Sequence, residues 1–509
     1  MNFDQAQAIQ DNRCAAVNNG WRVHSDRLQY ELIINQQNPI HSTTTNSFVM
    51  SYQYQVVVIG SGSAGKEASL KAAKAGLRTL LIEERALGGT AYYSGSYAVR
   101  ALRACASYLT RMGKASKVGT NLDLIESSWT NWLTSQRLSS GTLAIEFSNA
   151  IDREKVDLKF GRARLVGLRE ISLMDSQNAL EVRITASHII LATGSRPNFA
   201  GRPEAGVLNS NQILRQANPA RHLFVIGGGY VGCELAAIYR DLGSRVTIAE
   251  AKSRLLPSWD PIAGEYFQSV LGKIGANVLL NESVDPIPPG STSPPSYKLS
   301  TGEIIRPDVT LVATGRQPNS DDLGLDSVGL TSGAWIPVNE QMQTPVESIY
   351  AVGDVTGISL LDSVASAQAD VAVENILGNP ARFDKRWYSQ FLHTEPPIAN
   401  IGWSEADALE ARLPIEVLNW KGPLFTDDDF TTIEREHMIV KCVLHAESNH
   451  FLGCIAIGSR AAEIINLVGT AIANKLSARV IANLSAVHPS ATEILVRMLR
   501  SHFEQPALA

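Results

Sequence analysis

The 509-residue chain has little of what several classes of protein require. Its five cysteines, Cys14, Cys105, Cys233, Cys442 and Cys454, are odd in number and scattered, so neither a disulfide framework nor a metal site is expected. The 45 Lys and Arg do not outnumber the 50 Asp and Glu, which disfavours a nucleic-acid partner. No run approaches the roughly 18 apolar residues of a membrane helix. We therefore expect a soluble, cytoplasmic protein with no nucleic-acid or membrane partner.

The first 50 residues have a composition of their own. They contain 13 Asn or Gln residues and no apolar run of the kind found in signal peptides. We expect a polar, poorly ordered extension over residues 1–50. Met50 precedes the first convincing strand and is an alternative start of translation.

Two segments share one pattern of strand, glycine turn, helix and strand. In the first, YQVVVIG at 54–60 leads into GSGSAG at 60–65 and RTLLIE ends at Glu83. In the second, HLFVIGGG leads into GGGYVG at 227–232 and SRVTIAE ends at Glu250. From the first glycine to the glutamate is 23 residues in both copies (60 to 83, 227 to 250). The spacing predicts two βαβ units of doubly wound dinucleotide-binding domains.

The glycines of these loops have distinct expected roles. A dinucleotide pyrophosphate approaches a backbone only where side chains are absent. Gly60 permits the tight turn, Gly62 allows the close approach, and Gly65 lets the helix pack on the strand with its N-terminus facing the phosphates. Their counterparts in the second copy are Gly227, Gly229 and Gly232.

The acids that end the second strands bear on the choice of nucleotide. Glu83 and Glu250 are placed to accept hydrogen bonds from a ribose 2′-hydroxyl, and their charge repels a 2′-phosphate. The second site is therefore expected to prefer NADH. NADPH stays the alternative because Lys252 and Arg254 lie close by.

A further duplicated signal is an apolar strand that ends in Ala-Thr-Gly. It occurs as IILATGSRP at 189–197 and as VTLVATGRQPN at 309–319. The region after about residue 385 lacks a glycine fingerprint and alternates strand-like segments with a helical run through Ala461 to Lys475. This pattern is typical of a separate α+β domain.

The order GSGSAG, LGGT, ATGSRP, GGGYVGCE, ATGRQPN, IYAVGD, HPSATE resembles the class I pyridine nucleotide-disulfide oxidoreductases over about residues 52–500. That group includes lipoamide dehydrogenase, glutathione reductase and mercuric reductase. The resemblance implies an α/β fold with two Rossmann-like domains, for FAD and NAD(P)H, and a C-terminal α+β dimerisation domain that forms a homodimer. The implied limits are 51–202 with 320–384 for FAD, 203–319 for NAD(P)H and 385–509 for dimerisation.

The resemblance also implies roles for single residues. Asp354 would bond the ribityl chain of FAD, Tyr230 would gate the nicotinamide pocket, and Glu234 would pair with a basic residue, here Arg100. The remaining implied cofactor-binding residues are Gly60, Gly62, Gly65, Glu83, Thr90 and Gly194 for FAD, and Gly227, Gly229, Gly232, Glu250 and Gly315.

One departure from the family pattern bears on the chemistry. In the disulfide reductases, LGGT is followed by two cysteines that relay electrons; here Ala91 and Ser96 stand at those positions. Neither side chain forms a thiolate or a mixed disulfide. Cys105 lies nine positions after Ser96, about 13 Å along a continuous helix, and is expected to be a buried apolar residue.

Near the C-terminus, HPSATE supplies His488 and Glu493. In the family, this His is oriented by the Glu and acts in the partner subunit as the acid–base catalyst. Two interpretations stay open in a chain without the two cysteines. Either His488 protonates another reduced acceptor, or it is an element of the dimer interface.

The leading functional hypothesis is an FAD-dependent oxidoreductase that takes a hydride from NAD(P)H and reduces a small acceptor such as a quinone, oxygen or another nicotinamide. Tyr92, Tyr93 and Tyr97 either line that acceptor's pocket or pack around a rebuilt helix. One alternative is a dihydrolipoyl dehydrogenase-like disulfide reductase with a non-standard thiol. The other is a flavin- and nucleotide-binding redox sensor without turnover.

Overall fold

The computed structural model describes residues 52–116, 129–175, 180–216, 218–285, 295–423 and 437–504. The extension predicted for residues 1–50 lies outside these ranges. The described elements belong to a compact unit that begins at Gln53. None of the helices in the described ranges is long and apolar enough to cross a membrane.

The first predicted βαβ unit lies in a mainly parallel sheet. Strand β1 (Tyr54–Ile59) leads into helix α1 (Ser63–Lys74), and the chain returns in β2 (Thr79–Glu83) beside β1. The other strands are β3 (Asp157–Gly167), β4 (Glu170–Asp175), β5 (Glu181–Leu191) and β15 (Ile349–Ala351). The parallel order β3–β2–β1–β5–β15 is that of a doubly wound fold, and antiparallel β4 joins β3 to β5.

The second predicted unit repeats this arrangement. Strand β8 (His222–Ile226) leads into α6 (Tyr230–Asp241) and then into β9 (Arg245–Glu250). Its other strands are β7 (Val207–Asn209), β10 (Asn277–Leu280) and β13 (Val309–Val312). All five are parallel in the order β10–β9–β8–β13–β7, so each glycine loop lies at the carboxyl end of a central strand.

The two Ala-Thr-Gly segments meet each other. Each is followed by a short strand, β6 (Ser195–Pro197) after the first and β14 (Arg316–Pro318) after the second. These strands pair antiparallel, with Ser195 opposite Pro318. The duplicated signal therefore marks the two chain crossings between the nucleotide-binding domains. A separate two-stranded ribbon contains β11 (Tyr297–Lys298) and β12 (Ile304–Ile305).

The C-terminal region forms an antiparallel sheet covered by helices. Its strands are β16 (Gln390–Leu392), β17 (Ile398–Gly402), β18 (Ile415–Pro423), β19 (His437–His445) and β20 (Phe451–Ile457), in the order β16–β17–β20–β19–β18. Its helices are α9 (Glu405–Glu410), α10 (Ala461–Ala473), α11 (Ala478–Ala482) and α12 (Ala491–Glu504). The expected α+β fold of this region is confirmed. The exact limits of the three domains stay a prediction.

The remaining helices connect these layers. They are α2 (Gly89–Tyr93), α3 (Ser96–Ser116), α4 (Trp129–Arg153), α5 (Ser210–Ile213), α7 (Pro261–Lys273) and α8 (Asp362–Ile376), with 3₁₀ turns at Pro203–Ala205, Leu325–Val328, Gly353–Thr356 and Lys385–Trp387. Helix α3 contributes Leu102 to a buried cluster that also contains Leu235 of α6 and Leu392 of β16. One apolar core thus joins α3 to both the second and the third sheet.

Candidate functional site

The first glycine loop shows why each glycine is needed. Gly60 has a φ of 100°, and a Cβ there would lie 2.5 Å from the carbonyl oxygen of Ala192. A Cβ on Gly65 would lie 1.8 Å from the carbonyl oxygen of Gly60, because the helix packs tightly on the turn. A Cβ on Gly62 would meet nothing within 4 Å. The turn and the packing are therefore occupied by protein, while the position at Gly62 is open.

The second loop has the same three environments. Gly227 has a φ of 106°, and a Cβ there would lie 2.6 Å from the carbonyl oxygen of Ala313. A Cβ on Gly232 would lie 2.0 Å from the carbonyl oxygen of Gly227, and one on Gly229 would meet nothing within 4 Å. The duplication seen in the sequence is thus a duplication of geometry.

Two open glycines and two uncapped helices fit bound dinucleotides. Gly62 and Gly229 are the N-cap residues of α1 and α6, and neither helix has a side-chain cap on its first-turn N–H groups. Such N–H groups and the positive end of the helix attract phosphate oxygens. The residues present therefore fit one pyrophosphate at each loop, as FAD and NAD(P)H require.

The two glutamates also support the loops. Glu83 accepts hydrogen bonds from the backbone N–H and the hydroxyl of Ser61, at 2.9 and 2.6 Å. Glu250 accepts one from the backbone N–H of Gly228 at 2.6 Å. The second oxygen of each carboxylate accepts a backbone N–H two residues further along the chain. Ribose recognition by both acids stays a prediction, and the sequence did not predict this loop-bracing contact.

The LGGT segment lies against the first glycine loop. The backbone N–H of Gly88 donates to the carbonyl oxygen of Ser61 at 3.1 Å. A Cβ on Gly89 would lie 3.0 Å from the Cα of Gly62. Thr90 follows in α2 with an exposed side chain. Because Thr90 directly follows Gly89, it lies near the open position at Gly62, and its contact with FAD stays a prediction.

A buried polar cluster lies at the crossing between the nucleotide-binding domains. The hydroxyl of Ser195 donates to Asp354 at 2.6 Å, and Arg316 Nε donates to that hydroxyl at 2.7 Å. The guanidinium of Arg316 lies 3.9 Å from the Asp354 carboxylate. Burial raises the pKa of Asp354, and Ser195 and Arg316 partly offset that rise. Only Asp354 was predicted here.

The two partners of Asp354, Ser195 and Arg316, have a weak sequence signal, because each directly follows an Ala-Thr-Gly. Gly194 before Ser195 has a φ of 70°, and Gly315 before Arg316 has a φ of 134°. Both are values that glycine adopts at little cost. The two predicted glycines therefore turn the chain into β6 and β14, which bring Ser195 and Arg316 to Asp354.

Tyr230 and Glu234 lie one turn apart at the start of α6. Burial raises the pKa of Tyr230, and Arg316, Asp354 and Glu234 act on it electrostatically. Tyr230 therefore lies near the polar cluster of Asp354 and Arg316. Burial also raises the pKa of Glu234 to about 7, despite an opposing hydrogen bond from His393.

The predicted ion pair between Arg100 and Glu234 is not formed among the described side chains. Instead, Glu234 Oε1 accepts the backbone N–H of His393 at 2.6 Å. Arg100 is exposed, and its charge acts on His393, where burial and then Arg100 lower the pKa to about 4. The half-buried Glu234 carboxylate is hydrogen-bonded to the backbone N–H of His393, whereas the Arg100 side chain lies in solvent. His393 was missed because it lies 159 residues from Glu234.

The segment 91–97, which follows LGGT, contains a buried hydroxyl without a partner among the described residues. Ser96 Oγ is buried and has no hydrogen-bond partner among the described residues. Tyr92 is buried, and its hydroxyl accepts a hydrogen bond from Lys66 Nζ at 3.1 Å, so it packs in the core. Tyr97 lies edge-on to the Tyr92 ring, and Tyr93 is 37% exposed. Tyr93 and Tyr97, unlike Tyr92, retain surface that a ligand can contact.

The other predicted groups are also placed by the structure. His488 Nδ1 and Glu493 Oε2 are 2.8 Å apart, and the His488 side chain is 70% exposed. Cys105 is buried as expected, and burial raises its pKa to about 12. No group of His, Cys, Asp or Glu that could hold a metal ion occurs in the described part of the chain.

Family models match most of this architecture. The model described as pyridine nucleotide-disulphide oxidoreductase matches residues 54–375, and the one for the dimerisation domain of the same name matches residues 388–499. The chain is 30% identical over 453 residues to the dihydrolipoyl dehydrogenase of Chlamydia muridarum, covering 87% of this chain and 96% of that protein. It is 31% identical over 437 residues to the soluble pyridine nucleotide transhydrogenase of Chromohalobacter salexigens, covering 83% and 91%.

Solved structures show the same fold. LpdA from Mycobacterium tuberculosis matches with a TM-score of 0.78 at 23% identity, covering 88% of this chain and 99% of that one. The HOCl-induced flavoprotein disulfide reductase RclA from Escherichia coli matches with a TM-score of 0.75 at 23% identity, covering 88% and 99%. At this identity the likeness concerns the fold alone.

Proposed function

The chain belongs to the pyridine nucleotide-disulphide oxidoreductase family, and from that premise we propose that it oxidises NADH and reduces a small acceptor without a cysteine pair. The family consists of oxidoreductases that use FAD and NAD(P)H, and the dimerisation domain indicates a homodimer. Bound FAD supplies the electron-transfer chemistry. The protein binds and orients the two nucleotides at the loops of Gly62 and Gly229.

The observation that carries the proposal is the pair of residues that follows LGGT, where the resemblance to the family places two cysteines. Ala91 and Ser96 stand at the positions of the family's two cysteines, and no cysteine occurs between Cys14 and Cys105. Because burial raises the pKa of Cys105 to about 12, that thiol is almost wholly protonated at neutral pH. Thiol exchange needs a thiolate as the attacking group. Electrons therefore pass to the acceptor without a protein disulfide.

The surroundings of Glu250 support NADH as the donor. Its carboxylate is buried next to the second glycine loop, where a 2′-phosphate would be repelled. Arg254, the nearby residue best suited to bind such a phosphate, donates to the backbone carbonyls of Pro257 and Trp259 instead. Lys252 is exposed and is the remaining cation through which NADPH would be accepted.

The acceptor is proposed to lie beside Tyr93, Ser96 and Tyr97. The two aromatic rings offer surface for stacking a flat molecule, and the buried, unpartnered Ser96 hydroxyl would donate a hydrogen bond to a carbonyl oxygen that enters between them. A quinone fits both features. Oxygen and a second nicotinamide stay in the proposal, the latter because a transhydrogenase is among the relatives.

The test is anaerobic stopped-flow mixing of the FAD-loaded protein with NADH and, separately, with NADPH. We expect NADH to bleach the flavin absorbance faster, without the long-wavelength band that a thiolate beside a flavin produces. Reoxidation by a quinone, ferricyanide, oxygen or an oxidised nicotinamide then ranks the acceptors. The proposal fails if neither nucleotide bleaches the flavin, and a sensor without turnover then becomes the better hypothesis.

Cys105→Ala separates this proposal from the disulfide-reductase alternative, which the dihydrolipoyl dehydrogenase relatives favour. We expect the variant to keep the quinone-dependent oxidation of NADH. Loss of that activity in a variant that still binds FAD would favour a reductase that uses Cys105.

A further inference from the structure

Two cysteines of the third sheet face each other across an antiparallel strand pair. Cys442 of β19 lies directly opposite Cys454 of β20, and its Sγ donates a hydrogen bond to the Sγ of Cys454 at 3.4 Å. The two residues are 0% and 3% exposed and belong to the core cluster that includes residues of α10 and α12. They lie outside both nucleotide-binding loops, so the proposed reaction assigns them no role.

We propose that Cys442 and Cys454 are an oxidation site that closes to a cross-strand disulfide. Directly opposed residues of antiparallel strands have Cα atoms about 4.5 to 5.5 Å apart, within the range of about 4.4 to 6.8 Å that a disulfide spans. The sulfur atoms start 3.4 Å apart, so an approach of about 1.4 Å reaches the S–S bond length. The strand pairing therefore needs no rearrangement for the bond to form.

Hydrogen peroxide is the proposed class of oxidant because it is small enough to enter a closed core. The thiolate of one cysteine attacks a peroxide oxygen, the O–O bond breaks, and hydroxide leaves a sulfenic acid on the sulfur. The second thiol attacks that sulfur, so that the S–S bond forms and water leaves. Two thiols and one peroxide thus give one disulfide and two waters, and the two electrons lost by the sulfurs reduce the peroxide.

Burial determines how this site behaves. It raises the pKa of Cys454, so the attacking thiolate is scarce and oxidation is slow. The same core shields the finished disulfide from thiols in solution. The link would tie β19 to β20 inside the dimerisation domain and persist after the peroxide is gone. The proposal of this disulfide does not depend on which electron acceptor the enzyme uses.

The full-length, FAD-loaded protein tests the proposal directly. It is incubated with hydrogen peroxide, denatured in an alkylating reagent and digested. We expect the tryptic peptide 442–460 to lose the mass of two hydrogens and to resist alkylation. A glutamate-specific protease cuts at Glu447, between the cysteines, and should yield two peptides that separate only on reduction. Cys454→Ser should abolish the link, and the matched control Cys105→Ser should keep it.

Three results would overturn the proposal. The first is full alkylation of both cysteines after prolonged exposure to excess peroxide. The second is a link from either cysteine to Cys14, Cys105 or Cys233. The third is a link that appears only after the flavin is released and the circular dichroism signal is lost, because the unfolded chain then forms it.

Discussion

At the scale of single residues, the glycines of the two loops differ in what an added side chain would meet. A Cβ on Gly65 or Gly232 would lie 1.8 or 2.0 Å from a backbone oxygen, which no rotation of a side chain relieves. Gly62 and Gly229 have φ values of −65° and −72°, which any residue adopts, and open space around them. Packing therefore requires glycine at positions 65 and 232, whereas the open positions at Gly62 and Gly229 are those proposed to admit the ligands.

This difference predicts separable losses of cofactor. We expect Gly62→Val to fold but to bind FAD at least about tenfold more weakly, a loss of about 1.4 kcal/mol or more, because its side chain fills the approach path. Gly229→Val should keep FAD and lose reduction by NADH to a similar degree. Flavin absorbance per protein and NADH-dependent bleaching measure the two effects. A Gly62→Val protein with its full complement of flavin would contradict the assignment of the first loop to FAD.

Glu234 and His393 titrate in opposite directions on folding. Burial raises the pKa of Glu234 from 4.5 to about 7, so the folded state holds the proton more tightly and loses stability as pH rises through that interval. Burial, followed by Arg100, lowers the pKa of His393 from 6.5 to about 4. The folded state resists protonation there and loses stability as pH falls through that interval. The two effects partly cancel between pH 4.5 and 6.5.

Replacing Glu234 or His393 should therefore change the pH dependence of stability in opposite directions. Relative to the parent, Glu234→Gln should gain stability at pH 8 compared with pH 5, and His393→Phe should gain it at pH 4 compared with pH 8. Each effect should be on the order of 2 kcal/mol, because each shift spans about 2.5 pKa units and partial exposure to solvent reduces its contribution. Melting midpoints at fixed ionic strength provide the measurement. Curves parallel to that of the parent would show that these groups do not titrate as described.

At the scale of elements, helix α3 connects regions that are distant in sequence. Its Arg103 is buried and donates through Nη2 to Asp241, the last residue of α6. Glu395, just after β16, lies 3.9 Å from the same nitrogen. Arg103 Nε and Nη1 have no hydrogen-bond partner among the described residues. The guanidinium therefore depends on Asp241 for most of its compensation.

Removing Asp241 alone should lower the free energy of unfolding more than removing Asp241 and Arg103 together. Asp241→Ala leaves a buried, uncompensated cation, and we expect it to lower the free energy of unfolding by about 3 kcal/mol. Arg103→Met with Asp241→Ala should restore much of that loss, because the apolar side chain needs no counter-charge. Urea unfolding of the parent, both single variants and the double variant completes the cycle. Additive losses in the double variant would mean that the two residues do not interact.

At the scale of the whole molecule, the dimerisation domain raises the question of which subunit His488 acts in. In a single chain the His488 side chain is 70% exposed, whereas that of Glu493 is 21% exposed. Burial acts to raise the pKa of Glu493, but the hydrogen bond and the charge of His488 lower it further than burial raises it. The Glu493 carboxylate therefore stays charged and can orient the His488 ring. By resemblance to the family, we propose that His488 of one subunit acts at the FAD site of the other, so the test needs both chains of a dimer.

Hybrid dimers test that proposal. At limiting FAD, Gly62→Val should leave its own subunit mostly without FAD, and His488→Ala should lack the proton donor it offers to the partner, so each homodimer should lose most of its activity. In the hybrid, the His488→Ala subunit keeps FAD and faces the intact His488 of the partner subunit. We expect it to recover up to about half of the parental activity per dimer, since one of two sites is complete. A hybrid as inactive as both homodimers would show that His488 acts within its own chain or does not act.

The sequence alone determined the two nucleotide-binding units, and it shows Ala91 and Ser96 where the resemblance to the family places two cysteines. The glycine spacing reports a turn whose residues are close in the chain, and a missing thiol is visible without any structure. Local backbone requirements leave local patterns, so the roles of Gly60, Gly62 and Gly65 followed from physics that involves one loop.

Only the tertiary structure decided which polar groups meet. Ser195 reaches Asp354, Arg316 reaches Ser195, and Glu234 takes the backbone of His393 in place of Arg100, across separations of 121 to 159 residues. It also showed that Tyr92 belongs to the core and that Cys442 faces Cys454. Such contacts depend on how sheets and helices pack, and a carboxylate in a crowded crevice takes whichever donor the packing brings within reach.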